Sequence, residues 1–552
     1  MSPVTERITR REFLELGAGA GLACMAGAAC RTAGPVGPAR GLAGPAIPPF
    51  ALQEATLADL ARGIESGKYT AHSLCEYYLA RIDDLDRRGP TLRSVIETNP
   101  DALRIARELD AERKTKGPRG PLHGIPILVK DNIATADRMA TTAGSLALVG
   151  ARPRADAAIA ARLRAAGAVM LGKANLSEWA NFRSNSSSSG WSARGGQCKN
   201  PYVLDRSPCG SSSGTAAAIA ANFAAVGVGT ETDGSIVCPA AACSLVGIKP
   251  TLGLVSRAGI VPIAHSQDTA GPMARTVRDA AILLGALAGP DPRDSATAAA
   301  PAQVPDYTRF LDANGLAGAR LGVARTKLFG YHAATDALVT QAIDVLRRAG
   351  AVIVDPAEIP HLGEYDDAEL TVLLYEFKAD VNRYLAEFAP GAPVKTLQDV
   401  IEFNERNKER EMPYFGQELF LKVQDKGSLS DQAYRDALDK CRKLAREDGL
   451  QAILDREKLD ALVAPTGNPP WPIDLINGDH FLGGSSTPAA VAGFPHVTVP
   501  AGYVSGLPVG VSFIGAPWSE GTLVRLAYAY EQATTLRRPP RFLPTMTVST
   551  SG

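Results

Sequence analysis

The chain has 552 residues, of which 45% are hydrophobic and 21% charged, so it is long enough to bury a large core. Basic and acidic residues both number 58, and this zero net charge argues against a nucleic-acid partner. The seven histidines and eight cysteines show neither His-x-x-x-His nor Cys-x-x-Cys spacing, so we predict no bound metal. Nothing in the composition indicates a cofactor.

The first 33 residues resemble a twin-arginine export signal. Arg10 and Arg11 precede Phe13 and a run rich in glycine and alanine, which is too weakly apolar to span a bilayer. We therefore expect export to the periplasm or another extracytoplasmic space. A frayed amphipathic start of the chain is the alternative, since charge often flanks an apolar stretch. The segment "GAAC" ends at Cys30 and faintly resembles a lipoprotein cleavage box without its leucine, so a lipid anchor there stays open.

Residues 34–50 are rich in proline and glycine and predict a tether that leads into a folded domain over residues 51–545. Helical spacing on both sides of Gly67 predicts two helices, and a third is predicted to begin near Asp101. The apolar run "GIPILVKDN" is typical of a buried strand, and it ends in charge at Lys130. That lysine is therefore expected at an edge of a sheet or in a cleft.

Helices and strands alternate along the rest of the chain. Predicted helices end at Gly167 and Gly350, and a short apolar run of strand character follows each. This alternation predicts an α/β fold: a single large domain with a mixed β-sheet core and helices on both faces. Residues of about 364–457 look helical and charged, which indicates a cap-like insertion near a substrate entrance.

Two separate segments present serine in glycine-rich turns. The first, "CGSSSGT", spans Cys209 to Thr215 and runs into a helix-like alanine-rich stretch. The second, "GTETDGSIVCPAA", spans Gly229 to Ala241 and places Gly234 directly before Ser235. Such turns expose hydroxyls and backbone N–H groups, and a flexible linker would not continue into an apolar run that ends in a second turn.

These two segments, together with the upstream "VKD", resemble the hallmark motifs of the amidase signature family. The resemblance extends from about Leu52 to Pro544 and implies the amidase signature fold and a Ser-Ser-Lys catalytic unit. By motif position, Ser235 is the nucleophile, Ser211 is the bridging serine on a cis peptide bond, and Lys130 is the base. Ser212 and Ser213 are then supporting hydroxyls.

That assignment makes chemical sense for each residue type. A serine hydroxyl needs a base to accept its proton as it attacks, and lysine can serve only when it is neutral. Holding a lysine uncharged costs about 1.36 kcal/mol per pH unit below its ordinary pKa, which burial can supply. The oxyanion is expected to be held by the backbone N–H groups of four successive residues, Thr232, Asp233, Gly234 and Ser235.

The motifs also depart from the commonest family pattern. Cys209 and Ser213 stand where glycine is usual, and Asp233 replaces the first glycine of "GGS". A carboxylate at that point is expected to reach the cleft and to accept a hydrogen bond from a substrate amide or ammonium. The variant resembles peptide amidases, so we expect ammonia release from C-terminal peptide amides. A broad aliphatic or aryl acylamidase is the alternative, followed by a glutaminase-type subunit of an amidotransferase.

Several other residues have competing interpretations. His265 and Asp268 are the residue types of a Ser-His-Asp triad, but no Gly-x-Ser-x-Gly elbow accompanies them, and we interpret His265 as a structural or cleft-lining residue. Cys238 is interpreted as a small buried hydrophobe rather than a nucleophile. The serine-rich stretch near Trp191 is either a loose loop or a place of apolar contact with a substrate or the core. The oligomeric state and the pairing of any disulfides are not predictable from this sequence.

The export signal generates a direct prediction. Residues 1–49 fused to a reporter should carry it out of the cytoplasm only in cells with a functional twin-arginine system. Replacing Arg10 and Arg11 with lysine should stop this transport, because the receptor reads the arginine pair. Fractionation of the reporter measures the outcome. Unchanged export of the lysine variant would mean that the signal belongs to another route.

Overall fold

A computed structural model describes residues 47–546 of the chain. An 11-stranded mixed sheet runs through the centre of this α/β domain, and a two-stranded hairpin lies apart from it. The strands are β1 (Val95–Thr98), β2 (Pro126–Lys130), β3 (Val169–Ala174), β4 (Trp191–Ser192), β5 (Gly196–Gln197), β6 (Val226–Glu231), β7 (Val246–Lys249), β8 (Thr269–Ala274), β9 (Arg320–Val323), β10 (Val352–Val354), β11 (Ala461–Pro465), β12 (His496–Val504) and β13 (Leu507–Ile514).

The large sheet has the strand order β1-β3-β2-β6-β8-β7-β12-β13-β11-β9-β10. Strands β2, β3 and β6 are parallel neighbours, as are β9, β10 and β11, whereas the strands between these groups pair antiparallel. The sheet is flanked by helices, and it confirms the mixed α/β architecture that the alternating sequence pattern predicts.

The α-helices vary in length from one turn to six. They are α1 (Leu57–Glu65), α2 (Ala71–Ile82), α3 (Ala102–Lys116), α4 (Ala158–Ala165), α5 (Ser213–Ala220), α6 (Val237–Ala242), α7 (Val277–Leu287), α8 (Ala333–Arg348), α9 (Asp366–Glu387), α10 (Leu397–Arg406), α11 (Lys408–Glu411), α12 (Glu418–Gln424), α13 (Gln432–Cys441), α14 (Ala452–Glu457), α15 (Thr487–Ala492) and α16 (Glu520–Thr534). A π-helical segment, Arg442–Gln451, joins α13 to α14.

Local sequence explains where several of these elements begin. Thr56 and Thr70 cap α1 and α2 with side-chain hydrogen bonds to the third residue of each helix, on either side of the predicted break. All five residues of β2 are buried, as its continuous apolar run predicts. Its last residue, Lys130, therefore leaves the sheet inside the protein rather than in solvent.

The helices α9 to α13 pack on the body of the domain through aromatic side chains. Trp179 lies edge-on to Phe377 and Phe420, with ring centroids 6.4 and 5.6 Å away. Trp191 packs on Phe415 at 5.1 Å. The aromatic residues around the serine-rich stretch thus belong to the core between the helical segment and the sheet.

The twin-arginine segment, most of the tether and the last six residues lie outside the described residues. Among residues 47–546, none of the helices combines the length and the apolar character needed to cross a bilayer.

The close packing of α5 generates a stability prediction. A Cβ atom at Gly214 would lie 2.4 Å from the carbonyl oxygens of both Asn175 and Ser94, which are fixed by the backbone. Gly214→Ala should therefore lower the free energy of unfolding by about 2 kcal/mol or more. Gly285 is the matched control, since a Cβ there meets nothing within 4 Å. Gly285→Ala in α7 should leave stability unchanged or raise it by up to about 1 kcal/mol. Equal thermal melting of the two variants would contradict this packing.

Candidate active site

The three residues predicted to form the catalytic unit lie at the same edge of the large sheet. Lys130 ends β2, and its parallel neighbour β6 ends one residue after Thr230. Parallel strands end at the same edge, so the Lys130 side chain meets the turn that follows β6. Lys130 Nζ donates to Ser211 Oγ at 2.7 Å and to Thr230 Oγ1 at 2.9 Å. The contact expected between Lys130 and Ser211 is present.

The two serine-bearing segments are held against each other by Ser212. The Ser212 N–H donates to the carbonyl oxygen of Ser235 at 3.2 Å, and Ser212 Oγ donates to the Thr230 carbonyl oxygen at 3.0 Å. The peptide bond between Gly210 and Ser211 is cis. Ser211 is fully buried, whereas Ser235 keeps 8% of its surface exposed and so lies nearest to solvent.

The turn that carries Ser235 is organised by Glu231, a residue of the motif "GTETDGSIVCPAA" to which the sequence assigned no role. Glu231 Oε2 accepts hydrogen bonds from the N–H groups of Ile236 and Val237 at 2.7 and 3.0 Å. Gly234 has a φ of +77°, a conformation that favours glycine. Within the described part of the chain, the N–H groups from Thr232 to Ser235 donate to no protein acceptor, so they remain free to hold an oxyanion.

Burial governs the electrostatics of Lys130. Its side chain is 0% exposed, and desolvation lowers its pKa to about 7, although the charges of Asp268 and Glu231 oppose that shift. A large fraction of Lys130 is therefore neutral near pH 7. Burial lowers the pKa of Lys173 and Lys249 as well, to about 8 each, but these lysines donate to backbone carbonyls of Ile133 and Phe494 and contact neither Ser211 nor Ser235.

Asp233 lies in the same turn as Ser235, and only one of its two carboxylate oxygens accepts a hydrogen bond within the described residues. Its Oδ2 accepts a hydrogen bond from Thr487 Oγ1 at 2.7 Å. Its Oδ1 is buried and has no hydrogen-bond partner among the described residues. Burial raises the pKa of Asp233, while the nearby hydroxyl groups of Ser486 and Thr487 oppose this. The carboxylate thus keeps one acceptor free, two residues before Ser235.

Neither His265 nor Asp268 forms a triad with Ser235. His265 Nδ1 lies 2.8 Å from Asp380 Oδ2 in α9, and its Nε2 lies 3.4 Å from Glu376. Asp268 instead accepts from Thr232 Oγ1 at 2.6 Å and from the N–H of Ile263 at 2.8 Å. His265 therefore joins α9 to the loop that precedes β8.

His265, Glu376 and Asp380 are residue types that can bind a metal ion, but their carboxylates are already engaged in contacts with other protein groups. One nitrogen of His265 and one oxygen each of Glu376 and Asp380 lie within 4.8 Å of one another. The carboxylates are already engaged, because Glu376 accepts from Tyr434 OH at 2.7 Å and Asp380 pairs with Arg383 at 2.7 Å. These contacts account for the cluster as a structural link.

Cys238 is a disulfide-bonded residue rather than the small buried hydrophobe expected from the sequence. Cys238 forms a disulfide with Cys209, with their Cα atoms 6.1 Å apart, and the pair packs against Trp471 and Ala242. The bond joins the residue two positions before Ser211 to the residue three positions after Ser235. Sequence could not reveal this pairing, because the two cysteines become neighbours only when both turns meet at the sheet edge.

Other residues of the site come from distant parts of the chain. The stretch "GGSSTPAA" supplies Ser486 and Thr487 beside the turn, although in sequence it is only a superficial repeat of the serine motif. Gln267 donates to Glu369 at 2.8 Å and to the Thr232 carbonyl oxygen at 3.5 Å. The glycine-rich context of Ser486 and Thr487 was the one feature of the sequence that could have indicated a site. Nothing in the sequence indicated that these residues lie next to Asp233.

Comparison with known proteins yields a consistent set of relatives. A family model described as Amidase matches residues 73–524. A probable amidase of Arabidopsis thaliana is 45% identical over 90% of this chain and 93% of its own length. The crystal structure of native peptide amidase from Stenotrophomonas maltophilia has a TM-score of 0.86 and 55% identity, covering 90% of this chain and all of that one. A glutamyl-tRNA(Gln) amidotransferase subunit from Pseudomonas syringae is 35% identical over 88% of this chain and 98% of its own length.

Proposed function

The chain belongs to the amidase signature family and is an amidase, and we propose that it hydrolyses the C-terminal carboxamide of peptides through an acyl-enzyme on Ser235. The observation that carries the mechanism is the 2.7 Å contact between Ser211 Oγ and the buried Lys130 Nζ. A neutral lysine in that position can accept a proton from Ser211, which in turn takes one from Ser235.

The proposed reaction has two halves. Ser235 Oγ attacks the carboxamide carbon as its proton passes through Ser211 to Lys130, and the free N–H groups from Thr232 to Ser235 hold the oxyanion. A donor of this kind contributes about 2.7–4 kcal/mol. The C–N bond then breaks, and the relay returns the proton to the departing ammonia. Water attacks the remaining ester on Ser235 and releases the peptide acid.

Asp233 supports the assignment of the substrate. Its unpartnered Oδ1 can accept a hydrogen bond from an N–H of a peptide or carboxamide held at the turn. The likeness to a peptide amidase at 55% identity favours the same substrate class. The likeness to an amidotransferase component is lower, at 35%, and favours that role less.

An extracytoplasmic location is also part of the proposal. The twin-arginine segment indicates export, and a disulfide such as Cys209–Cys238 is typical of proteins in oxidising compartments. Glutaminase components of amidotransferases serve charged tRNA in the cytoplasm, so export argues against that alternative.

The base assignment predicts a defined pH dependence. Only neutral Lys130 can accept the proton, so kcat/KM for a peptide amide should rise with pH to half of its plateau near pH 7. Lys130→Arg should lose at least about a thousand-fold of this activity at every pH, because a guanidinium stays protonated. Thermal melting of the variant checks that the fold is intact. Activity within a few-fold of the parent would rule out the relay.

The substrate assignment is tested by comparing three amides. The wild-type enzyme is given three substrates: a dipeptide amide, its matched nitroanilide and a simple aliphatic amide. The value of kcat/KM for each is measured by the release of ammonia or nitroaniline. We expect the dipeptide amide to exceed the others by about ten-fold or more, because a buried acceptor discriminates against ligands that lack its donor. Ser235→Ala is the control for background hydrolysis. A ten-fold advantage of the aliphatic amide or the anilide would leave only the broader amidase activity.

A further inference from the structure

A second buried carboxylate, that of Glu369, lies close enough to Asp233 for the two charges to repel each other. Glu369 lies in the first turn of α9, where its neighbours Asp366 and Asp367 point to solvent, but Glu369 itself is only 9% exposed. Gln267 holds it in place, donating from one Nε2 to Glu369 Oε1 at 2.8 Å and to the Thr232 carbonyl oxygen at 3.5 Å. Glu369 is thereby fixed beside the residue that precedes Asp233.

Two polar atoms at this place lack partners. Among the residues that the structure describes, Asp233 Oδ1 has no hydrogen-bond partner, and neither has the hydroxyl of Tyr365, a residue that is 0% exposed and precedes α9. Within residues 47–546 neither Asp233 nor Glu369 takes part in an ion pair, although the charge of the buried Lys249 attracts the Asp233 carboxylate. A buried polar atom left unpaired costs about 1–3 kcal/mol, which makes a ligand donor favourable.

The charges agree with this geometry. Burial and then the repulsion from Asp233 raise the pKa of Glu369 to about 8, and burial likewise raises the pKa of Asp233. Two neighbouring carboxyl groups with raised pKa values are difficult to ionise together, and a positive charge between them would stabilise their ionised forms. Acidic side chains in the first turn of a helix ordinarily lie in solvent and stabilise the positive end of the helix dipole. Asp366 and Asp367 already do this for α9, so this effect does not explain why Glu369 is buried.

From these contacts we propose that Asp233 and Glu369 form a cation subsite that binds a primary ammonium group on the acyl part of the amide substrate. Asp233 is two residues from Ser235, which limits the separation of their Cα atoms to about 7 Å. The ammonium therefore belongs within one or two residues of the scissile carboxamide. It is either the α-ammonium of a short peptide amide or the side-chain ammonium of its last residue. This subsite rests on the proposed peptide-amide function and narrows it to cationic substrates.

The test measures binding separately from turnover. Ser235→Ala protein is titrated by calorimetry with four amides: alanyl-phenylalanine amide, its N-acetyl derivative, N-acetyl-lysine amide and N-acetyl-norleucine amide. We expect at least one ammonium-bearing ligand to bind about ten-fold or more tightly than its neutral partner. Whichever pair shows the preference identifies the source of the ammonium. For the lysine ligand, affinity should increase between pH 6.5 and 8.5, as Glu369 loses its proton.

Added substitutions make the result specific to the subsite. Glu369→Gln should remove the preference while retaining affinity for the neutral ligands, which also shows that this variant is folded. Asp233→Asn should remove the preference too, and because Asp233 also contacts the amide it should weaken the neutral ligands as well, so thermal melting checks its fold. Asp367→Asn, an exposed acid in the same helical turn, should keep the preference. Equal affinities for charged and neutral ligands, or a preference that survives both variants, would overturn the subsite and leave Asp233 and Glu369 as a pair sharing a proton. Turnover of the neutral N-acetyl dipeptide amide by the unsubstituted enzyme reports separately on the proposed function.

Discussion

Lys130 is fully buried, yet its Nζ donates only to neutral oxygens, namely Ser211 Oγ and the hydroxyl and carbonyl oxygens of Thr230. Desolvation therefore outweighs the attraction of the buried carboxylates of Asp268 and Glu231 and lowers the pKa of Lys130 to about 7, as the proposed base requires. A carboxylate in direct contact would keep the ammonium charged. The fold satisfies this constraint by engaging both acids elsewhere: Asp268 is bonded to Thr232 and Ile263, and Glu231 to the start of α6.

The sheet makes that burial possible. Because β2 and β6 are adjacent and parallel, the lysine at the end of one meets the turn at the end of the other without entering solvent. The Ser212 N–H then joins the two serine-bearing segments by donating to the Ser235 carbonyl oxygen, and the Cys209–Cys238 disulfide links the same two segments covalently. Proton transfer in the proposed relay depends on these contacts, since they hold the turn that carries Ser235 against the segment that carries Ser211.

Sequence predicted the parts of this arrangement that local pattern encodes. The buried strand ending at Lys130 followed from a continuous apolar run, and the roles of Ser211 and Ser235 followed from resemblance to family motifs. Contacts between distant segments could not be predicted from local sequence pattern. Glu369 and Thr487 come close to Asp233 and its neighbours only through tertiary packing. The serine-rich stretch near Trp191 had two open interpretations, a loose loop or apolar contact with a substrate or the core. The packing of Trp191 on Phe415 and of Trp179 on Phe420 shows contact with the core.

The central claim is that burial, rather than a partner charge, keeps Lys130 neutral. The most direct measurement is an NMR titration of the protein labelled with carbon-13 at lysine Cε, with the Lys130 signal assigned by its absence from the Lys130→Arg variant. The account predicts a midpoint near pH 7 for this resonance. A midpoint near the ordinary lysine value of about 10.4 would contradict it, because the buried amine would then be an ammonium throughout the neutral range.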